Sequence, residues 1–212
     1  MLVSYYDTSY FDWQRHVGAF GGKANLFKFI AHIKPTDKVL DFGSGGGFLL
    51  AQINCQEKKG IEINPVARQN AIEQGIDTIA SIEEVADEWA DVIISNHALE
   101  HVFQPLDELK KLHKKLKKGG KIIFVVPHEV RAPYRPNDIN QHIYTWSPMC
   151  LGNLFHLAGY EIIEAHSLKH RWMPYYMQVR KYTNESVFNI LCRLYARWKG
   201  DLYQTRVVAR KN

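Results

Sequence analysis

A run of glycines between two acidic residues is the part of the sequence best suited to bind a ligand. Gly43-Ser44-Gly45-Gly46-Gly47 follows an apolar run that ends in Asp41-Phe42, and Glu62 lies 21 residues after Asp41. Glycines let a ligand approach the backbone, and a helix that follows such a turn offers free N–H groups. An anion at Asp41 repels a pyrophosphate and attracts a cation, whereas Glu62 can accept from both hydroxyls of a ribose. The pattern predicts a ligand with a ribose, an adenine-like base and a positive head.

The same spacing excludes two common nucleotide-binding motifs. Phe48 stands where the third glycine of a dinucleotide fingerprint would be, and no G-K-[ST] follows the glycines. A P-loop nucleotide triphosphatase is therefore excluded.

Histidines farther along the chain supply a second set of reactive groups. His97-Ala98-Leu99-Glu100-His101 has the spacing of the inverted zinc-protease motif, and on a helix its two histidines would share one face. The glycine loop and the strand order do not fit a protease. His97, His101 and His142 are therefore candidates for a general base that removes a hydroxyl proton. His128 and Asp138 are further candidates, and each of these residues alone is more readily explained by a structural or substrate-positioning role.

Short apolar runs alternate with amphipathic stretches, which is typical of parallel βαβ units. Strands are predicted at 38–42, 59–63, 77–80, 91–95, 121–126, 161–167 and 203–210. Helices are predicted at 23–33, from 48, from 65, at 105–118 with Gly119-Gly120 as its cap, at 147–157 and at 184–199. The aromatic-rich residues 1–22 are predicted to form an irregular flap, and 129–143 a long functional loop.

Four segments resemble the motifs of class I S-adenosylmethionine-dependent methyltransferases. Val39–Gly47 is similar to the first motif of that family and Gly60–Ile63 to the second. Asp91–Val102 is similar to the fourth-strand motif, and Leu116–Lys121 to the stretch before the fifth strand. The resemblance covers about residues 35–167, in order and at the usual spacing.

The resemblance implies an α/β fold: a Rossmann-like, mostly parallel seven-stranded sheet with helices on both faces and an antiparallel last strand. It implies S-adenosylmethionine as the cofactor and S-adenosylhomocysteine as its product. Many relatives have an aspartate after the third strand, near the adenine, where this chain has Ser81 or only backbone to offer. The implied cofactor-binding residues are Asp41, Gly43, Ser44, Gly45, Glu62, Ile63, Ser81 and Asn96.

A metal site is an open alternative for the histidines. Ubiquinone-type O-methyltransferases and RNA 3′-end 2′-O-methyltransferases carry an E-x-x-E-H ligand motif in the segment that resembles 97–101, and His142–Trp146 is similar to a further motif of the RNA enzymes. A site of His97, Glu100, His101 and His142 is conceivable, although His97 replaces a glutamate and favours a metal softer than magnesium. The same segment is common in methyltransferases without a metal, and we therefore assign no metal ligand.

Composition sets broader limits. The 212 residues, 46% hydrophobic and 23% charged, are typical of a single globular domain. We therefore predict one domain over 1–212, with an N-terminal flap at 1–34 and a helical insertion at about 170–200. Three scattered cysteines, no apolar run long enough for a membrane span and no secretory signal favour a cytoplasmic protein.

Charge is distributed unevenly along the chain. Residues 1–106 hold 8 Lys/Arg against 14 Asp/Glu, and residues 107–212 hold 19 against 8. A basic second half suits an acidic partner, although solvated lysines also explain it.

The predicted function is methyl transfer to a hydroxyl of a sugar-, nucleotide- or lipid-linked small molecule. The segment 137–146 also resembles bacterial methyltransferases of cell-surface glycan pathways. The predicted partner is a small-molecule acceptor, phosphorylated or lipid-linked, with nucleic acid less favoured and the oligomeric state open. The alternatives are a metal-assisted RNA 2′-O-methyltransferase and a non-catalytic interaction module that keeps the cofactor fold.

Overall fold

The computed structural model describes residues 8–129, 133–136, 138, 140–200 and 203–212, with side chains from Val17 onward. Seven strands form one sheet in the order β3-β2-β1-β4-β5-β7-β6. The strands are β1 (Lys38–Phe42), β2 (Glu57–Ile61), β3 (Asp77–Ile79), β4 (Ala90–Asn96), β5 (Leu116–His128), β6 (Glu161–Leu168) and β7 (Tyr203–Arg210). β7 is antiparallel to both of its neighbours, and the pairs among β1–β5 are parallel. The predicted Rossmann-like sheet with an antiparallel last strand is confirmed.

Helices cover both faces of the sheet. They are α1 (Thr8–Asn25), α2 (Pro65–Glu73), α3 (Pro105–Lys115), α4 (Pro148–Leu157), α5 (Tyr176–Lys181) and α6 (Glu185–Lys199). The central strands are apolar on both sides because both sides are covered. Leu40, Ile93 and Phe124 belong to the core cluster that includes residues of α3 and α4. Val39 and Ile94 belong to a second cluster on the other face.

The N-terminal part differs from the sequence prediction. A helix occupies Thr8–Asn25, where an irregular flap was expected, and residues 26–32 form two short 3₁₀ turns instead of the predicted helix at 23–33. Residues 1–7 of the predicted flap lie outside the described residues. The aromatic-rich segment that ends in Gly21-Gly22 was expected to be irregular, but Gly18 and Gly22 instead allow close packing of α1, as shown below.

Three other boundaries are corrected. Only a 3₁₀ turn, Leu50–Gln52, follows the glycine loop, because Gly47 is left-handed and the chain is extended again at Ile53. β2 ends at Ile61, two residues before the predicted end. Gly119 and Gly120 do not cap α3: they lie in β5, where the Gly119 N–H donates to the Lys211 carbonyl oxygen and the Lys211 N–H to that of Gly120.

Helices α5 and α6 lie between β6 and β7, in the segment where an insertion was predicted. Among the described helices, none has both the length and the apolarity needed to cross a bilayer.

Candidate functional site

A cavity of about 960 Å³ opens where the parallel strands end. Its wall includes Phe42 at the end of β1, Ile61 at the end of β2, Asn96 at the end of β4 and Pro127 near the end of β5. Ligands of open α/β sheets bind at this edge. The residues that the sequence predicts for cofactor binding and catalysis line this cavity, except Ser81 and the two further candidates His128 and Asp138.

The glycine loop folds tightly from β1 over the end of β2. The N–H groups of Gly43 and Ser44 both donate to the Ile61 carbonyl oxygen, at 2.9 and 3.0 Å. Gly43 has a φ of +73°, and a Cβ atom there would lie 2.3 Å from the Ala98 Cβ. Gly45 is also left-handed, with a φ of +54°. Glycine is therefore required at 43 and 45 because both residues have a positive φ, and at 43 also because a side chain would collide with Ala98.

Glu62 turns back from β2 across this loop. Its carboxylate accepts from the Gly45 N–H at 2.8 Å and from the Asn64 N–H at 2.7 Å. Burial raises the pKa of Glu62, and the two N–H donors oppose that rise. Two backbone donors thus fix the carboxylate at the rim of the cavity, and its remaining lone pairs can accept from ligand hydroxyls.

Asp41 is the buried acid beneath the loop, with only 2% of its surface exposed. Burial, together with a smaller contribution from the negative charge of Glu62, raises the pKa of Asp41 to about 7. Two carboxylates in one cavity wall make a site that favours a cationic ligand.

The end of the cavity at Ile63 and Asn64 is partly apolar. Ile63 is 64% exposed and lines the cavity beside Asn64, whose side chain caps α2 by accepting from the Val66 N–H at 2.9 Å. Ser81 lies outside the cavity lining and forms a capping box with Glu84 at the start of a 3₁₀ turn, while its hydroxyl also bonds to Glu83. The geometry therefore offers Ile63, and not Ser81, as a surface for a base.

The histidines gather around Glu100, which is fully buried. The Glu100 Oε1 atom lies 3.1 Å from the His97 Nδ1 atom and 3.9 Å from the His142 Nε2 atom. The rings of His101 and His142 are 5.1 Å apart between centroids. The shared face that a helix would give these two histidines does not form, because only Leu99–His101 forms a 3₁₀ turn and His97 is left-handed with a φ of +60°.

These histidines differ in electrostatic environment. Burial lowers the pKa of His101. Burial also acts to lower the pKa of His142, but a 2.9 Å contact between its Nδ1 atom and Glu129, with the charges of Glu100, Glu129 and Asp138, raises it overall. His142 is therefore the better proton acceptor of the two. His128 instead contacts the Trp146 carbonyl oxygen through its Nδ1 atom.

Donor atoms of Glu100, His101 and His142 lie within 4.8 Å of one another, close enough to share one metal ion. The Glu100 Oε2 atom is buried without a hydrogen-bond partner among the described residues. Two imidazoles and one carboxylate are a known donor set of catalytic zinc sites. The residues therefore fit a divalent ion softer than magnesium, with His97 beside the set and not in it.

Lys28 is the cavity residue that sequence reasoning missed. Its side chain is 1% exposed, and its Nζ atom donates to the Asn96 Oδ1 atom at 3.1 Å. Burial lowers the pKa of Lys28 to about 7, and the charge of Glu100 offsets part of that change. The sequence held one signal for this residue, a lysine between two apolar residues in Phe27-Lys28-Phe29. A lysine in such a segment is buried only where it has a polar partner, which points to a site.

Helix α1 forms one side of the cavity, and its residues Gly18 and Gly22 pack closely against Phe48. A Cβ atom at Gly22 would lie 2.2 Å from the Phe48 carbonyl oxygen, and one at Gly18 would lie 2.3 Å from the Phe48 ring. Because Phe48 and Leu49 also line the cavity, the position of α1 determines part of the cavity wall.

We expect Gly22→Ala to destabilise the protein and weaken S-adenosylhomocysteine binding. The added methyl group must displace α1 or the backbone of Phe48, which typically costs about 1–3 kcal/mol. For a chain of this size that corresponds to a melting temperature lower by about 3–10 °C. Gly152→Ala is the matched control, since its Cβ would meet only the Ala165 Cβ at 3.6 Å. Equal melting temperatures for both variants and the wild type would contradict this packing.

Two of the four lysines of α3 form ion pairs with acids. Lys111 pairs with Glu83 and Glu108, and Lys115 pairs with Asp87. Just after α3, Lys117 pairs with Asp91. None of these lysines lines the cavity described above. The positive charge of this helix is therefore balanced only in part, and it lies away from the cavity.

Comparison with known proteins places these features in a family context. A family model described as a methyltransferase domain matches residues 15–165. The ubiquinone biosynthesis O-methyltransferase of Idiomarina loihiensis is 35% identical over 125 residues, which is 52% of this chain and 51% of that protein. The chain thus spans about half the length of this curated relative.

Two solved structures share the fold at low sequence identity. An S-adenosylmethionine-dependent methyltransferase from Archaeoglobus fulgidus matches with a TM-score of 0.67 and 18% identity, covering 97% of this chain and 100% of that one. Phosphoethanolamine N-methyltransferase 2 of Haemonchus contortus, solved with S-adenosyl-L-methionine, matches with a TM-score of 0.66 and 15% identity, covering 91% of this chain and 52% of that one.

Proposed function

Because this chain belongs to the methyltransferase-domain family, we propose that it transfers a methyl group from S-adenosylmethionine to a hydroxyl of a small molecule. The observation that carries the proposal is the pair Asp41 and Glu62 on either side of a glycine loop in one cavity. In this proposal Glu62 accepts from the ribose hydroxyls, Ile63 packs against the adenine, and Gly43, Ser44 and Gly45 bring the backbone close. Asp41 supplies the negative charge opposite the cationic part of the cofactor.

The cofactor supplies an electrophilic methyl group on a positively charged sulfur. The protein must then hold the acceptor oxygen in line, exclude water and take the hydroxyl proton. Lys28 and Asn96 are proposed to position the acceptor, since their hydrogen bond fixes the amide of Asn96 in the cavity wall. His142 is proposed to take the proton, because its pKa is raised by Glu129 and Glu100. His97 and His101 complete the surroundings of Glu100.

The acceptor is proposed to be a phosphorylated or lipid-linked hydroxyl compound. The residues that line the cavity include the aromatic residues Phe103, Trp172 and Tyr203 and the basic residues Lys28 and Arg171. Aromatic rings suit a sugar or an apolar chain, and cations suit a phosphate. The lysines of α3 lie outside the cavity lining, so they do not give the site the basic surface that an RNA acceptor would need.

Transfer of tritium from methyl-labelled S-adenosylmethionine would test this function. We expect label to enter the small molecules of a bacterial extract, in the organic phase for a lipid-linked acceptor and in the aqueous phase for a phosphorylated one. At a cofactor concentration below the wild-type dissociation constant, Asp41→Asn should transfer far less label than the wild type. Label in total RNA instead would favour the RNA methyltransferase. Binding of S-adenosylhomocysteine without transfer to any fraction would favour a non-catalytic module.

A metal-assisted reaction is the second candidate, favoured by the Glu100, His101 and His142 cluster. In that case metal-stripped protein should bind one Zn²⁺ or Mn²⁺ by calorimetry, and His142→Ala should weaken binding at least tenfold. His128→Ala is the control, because His128 contacts the Trp146 carbonyl oxygen and lies outside the cluster. Equal metal binding by the wild type and both variants, or none by any of them, would contradict a site at these residues.

A further inference from the structure

Helix α6 is apolar on two opposite sides. One side is buried through Phe188, Cys192 and Ala196. The other side carries residues at helical spacing that are between 42% and 76% exposed, and we call it the outer face of α6: Val187, Ile190, Leu194 and Trp198. A helix in a globular protein normally exposes its polar side, so a second apolar stripe indicates a surface that meets an apolar phase.

Basic residues outnumber acidic ones in the segment that carries this outer face. Residues 175–200 contain one acid, Glu185, and five basic residues: Arg180, Lys181, Arg193, Arg197 and Lys199. Arg193 and Arg197 are exposed on α6 itself. The Nζ atom of Lys199 lies 5.1 Å from the centre of the Trp198 ring. Exposed aromatic rings and aliphatic side chains beside cations are typical of helices that lie in the interface of an anionic membrane.

The buried side of α6 is connected to the cavity wall. The Arg171 N–H donates to the Cys192 carbonyl oxygen at 3.4 Å, and the His170 Nε2 atom lies 3.0 Å from the Asn189 Oδ1 atom. The Trp172 ring, which lines the cavity, packs against Tyr176 with 5.0 Å between centroids. Helix α6 is therefore bonded directly to the segment His170–Arg171 of the cavity wall.

We propose that the outer face of α6 docks on an anionic lipid surface, with Arg193 and Arg197 contacting the headgroups. The apolar side chains enter the headgroup region, which lays the helix along the membrane beside the cavity. A second copy of the chain fits this face poorly, since a two-fold contact would bring the same cations together. The docking is independent of methyl transfer, because it requires neither cofactor nor acceptor.

Co-sedimentation with vesicles tests the proposal directly. The full chain should bind vesicles of two parts phosphatidylcholine to one part phosphatidylglycerol, and bind pure phosphatidylcholine vesicles at least tenfold more weakly. The double variant Leu194→Glu with Trp198→Glu should lose at least tenfold in binding to the anionic vesicles. Arg193→Gln with Arg197→Gln should lose a similar amount and reduce the salt dependence.

Two control variants test whether vesicle binding depends on the outer face of α6 or on any exposed apolar or cationic residues. Met149→Glu with Leu157→Glu changes exposed apolar residues of α4, and Lys110→Gln with Lys114→Gln changes exposed cations of α3. Both should bind anionic vesicles within about twofold of the wild type. The proposal is overturned if the wild type does not bind, or if the control pairs weaken binding as much as the α6 pairs. A dimer that light scattering detects and that Leu194→Glu with Trp198→Glu dissociates would also overturn it.

Discussion

Replacing Asp41 with Asn should remove tight cofactor binding and, at pH 8, raise the melting temperature of the unliganded protein. Binding of S-adenosylmethionine and S-adenosylhomocysteine should weaken by about 30- to 150-fold, which corresponds to a charged hydrogen bond of about 2–3 kcal/mol. Folding places the Asp41 carboxylate in the interior with only 2% of its surface exposed. The neutral amide avoids that burial cost, so the variant folds more stably while it binds more weakly.

The pH dependence follows from the raised pKa of Asp41. Folding raises this pKa from 3.8, the ordinary value of a solvated aspartate, to about 7. Between these values the folded state holds a proton that the unfolded state has released, so wild-type stability falls as pH rises. The gain from Asp41→Asn should therefore be full above pH 7 and shrink as pH falls toward 4. Calorimetric titration and thermal denaturation over this range measure the two effects.

Asp77→Asn is the matched control for that substitution. Asp77 begins β3 and pairs with Lys59, and its side chain is 63% exposed. This control should leave cofactor affinity unchanged and show no stabilisation at pH 8. If Asp41→Asn binds the cofactor as the wild type does, then the carboxylate does not contribute to the ligand site.

The cofactor side of the site could be predicted because it depends on local sequence. Glycines with positive φ, an acid at the end of a strand and a second acid after the next strand lie close together along the chain. The fold places both acids at one edge of the sheet, and the structure brings Glu62 to within 2.8 Å of the Gly45 nitrogen. Ser81 was inferred only from relatives, and its hydroxyl is used in a local capping box.

The acceptor side could not be predicted because it is assembled from distant segments. Lys28 reaches Asn96 across 68 positions, and no local pattern encodes that contact. The aromatic-rich segment that ends in Gly21-Gly22 was predicted to be an irregular flap, and glycine is a poor helix former. Packing against Phe48 reverses that conclusion, since only glycine allows the helix to approach the loop so closely.

Lys28→Met should lower the rate of methyl transfer while it leaves cofactor affinity nearly unchanged. Methionine has a similar length and no charge, so it fills the same buried position without a hydrogen bond to Asn96. We expect S-adenosylhomocysteine binding within about threefold of the wild type, since Asp41 and Glu62 remain in place. We expect methyl transfer to fall by about 10- to 100-fold, because the acceptor is no longer held in line. Tritium transfer and calorimetric titration measure the two quantities, and Lys34→Met, at an exposed position, is the control.

The stability of Lys28→Met should depend on pH in the opposite sense to that of Asp41→Asn. Folding lowers the pKa of Lys28 from 10.5, the ordinary value of a solvated lysine, to about 7. Between these values the unfolded state holds the extra proton, so wild-type stability rises with pH. The gain from Lys28→Met should thus be largest below pH 7 and disappear toward pH 10.5. Parallel pH profiles for the two variants would show that they share a general effect on folding, whereas opposite profiles require two separate buried charges in the cavity wall, one acidic and one basic.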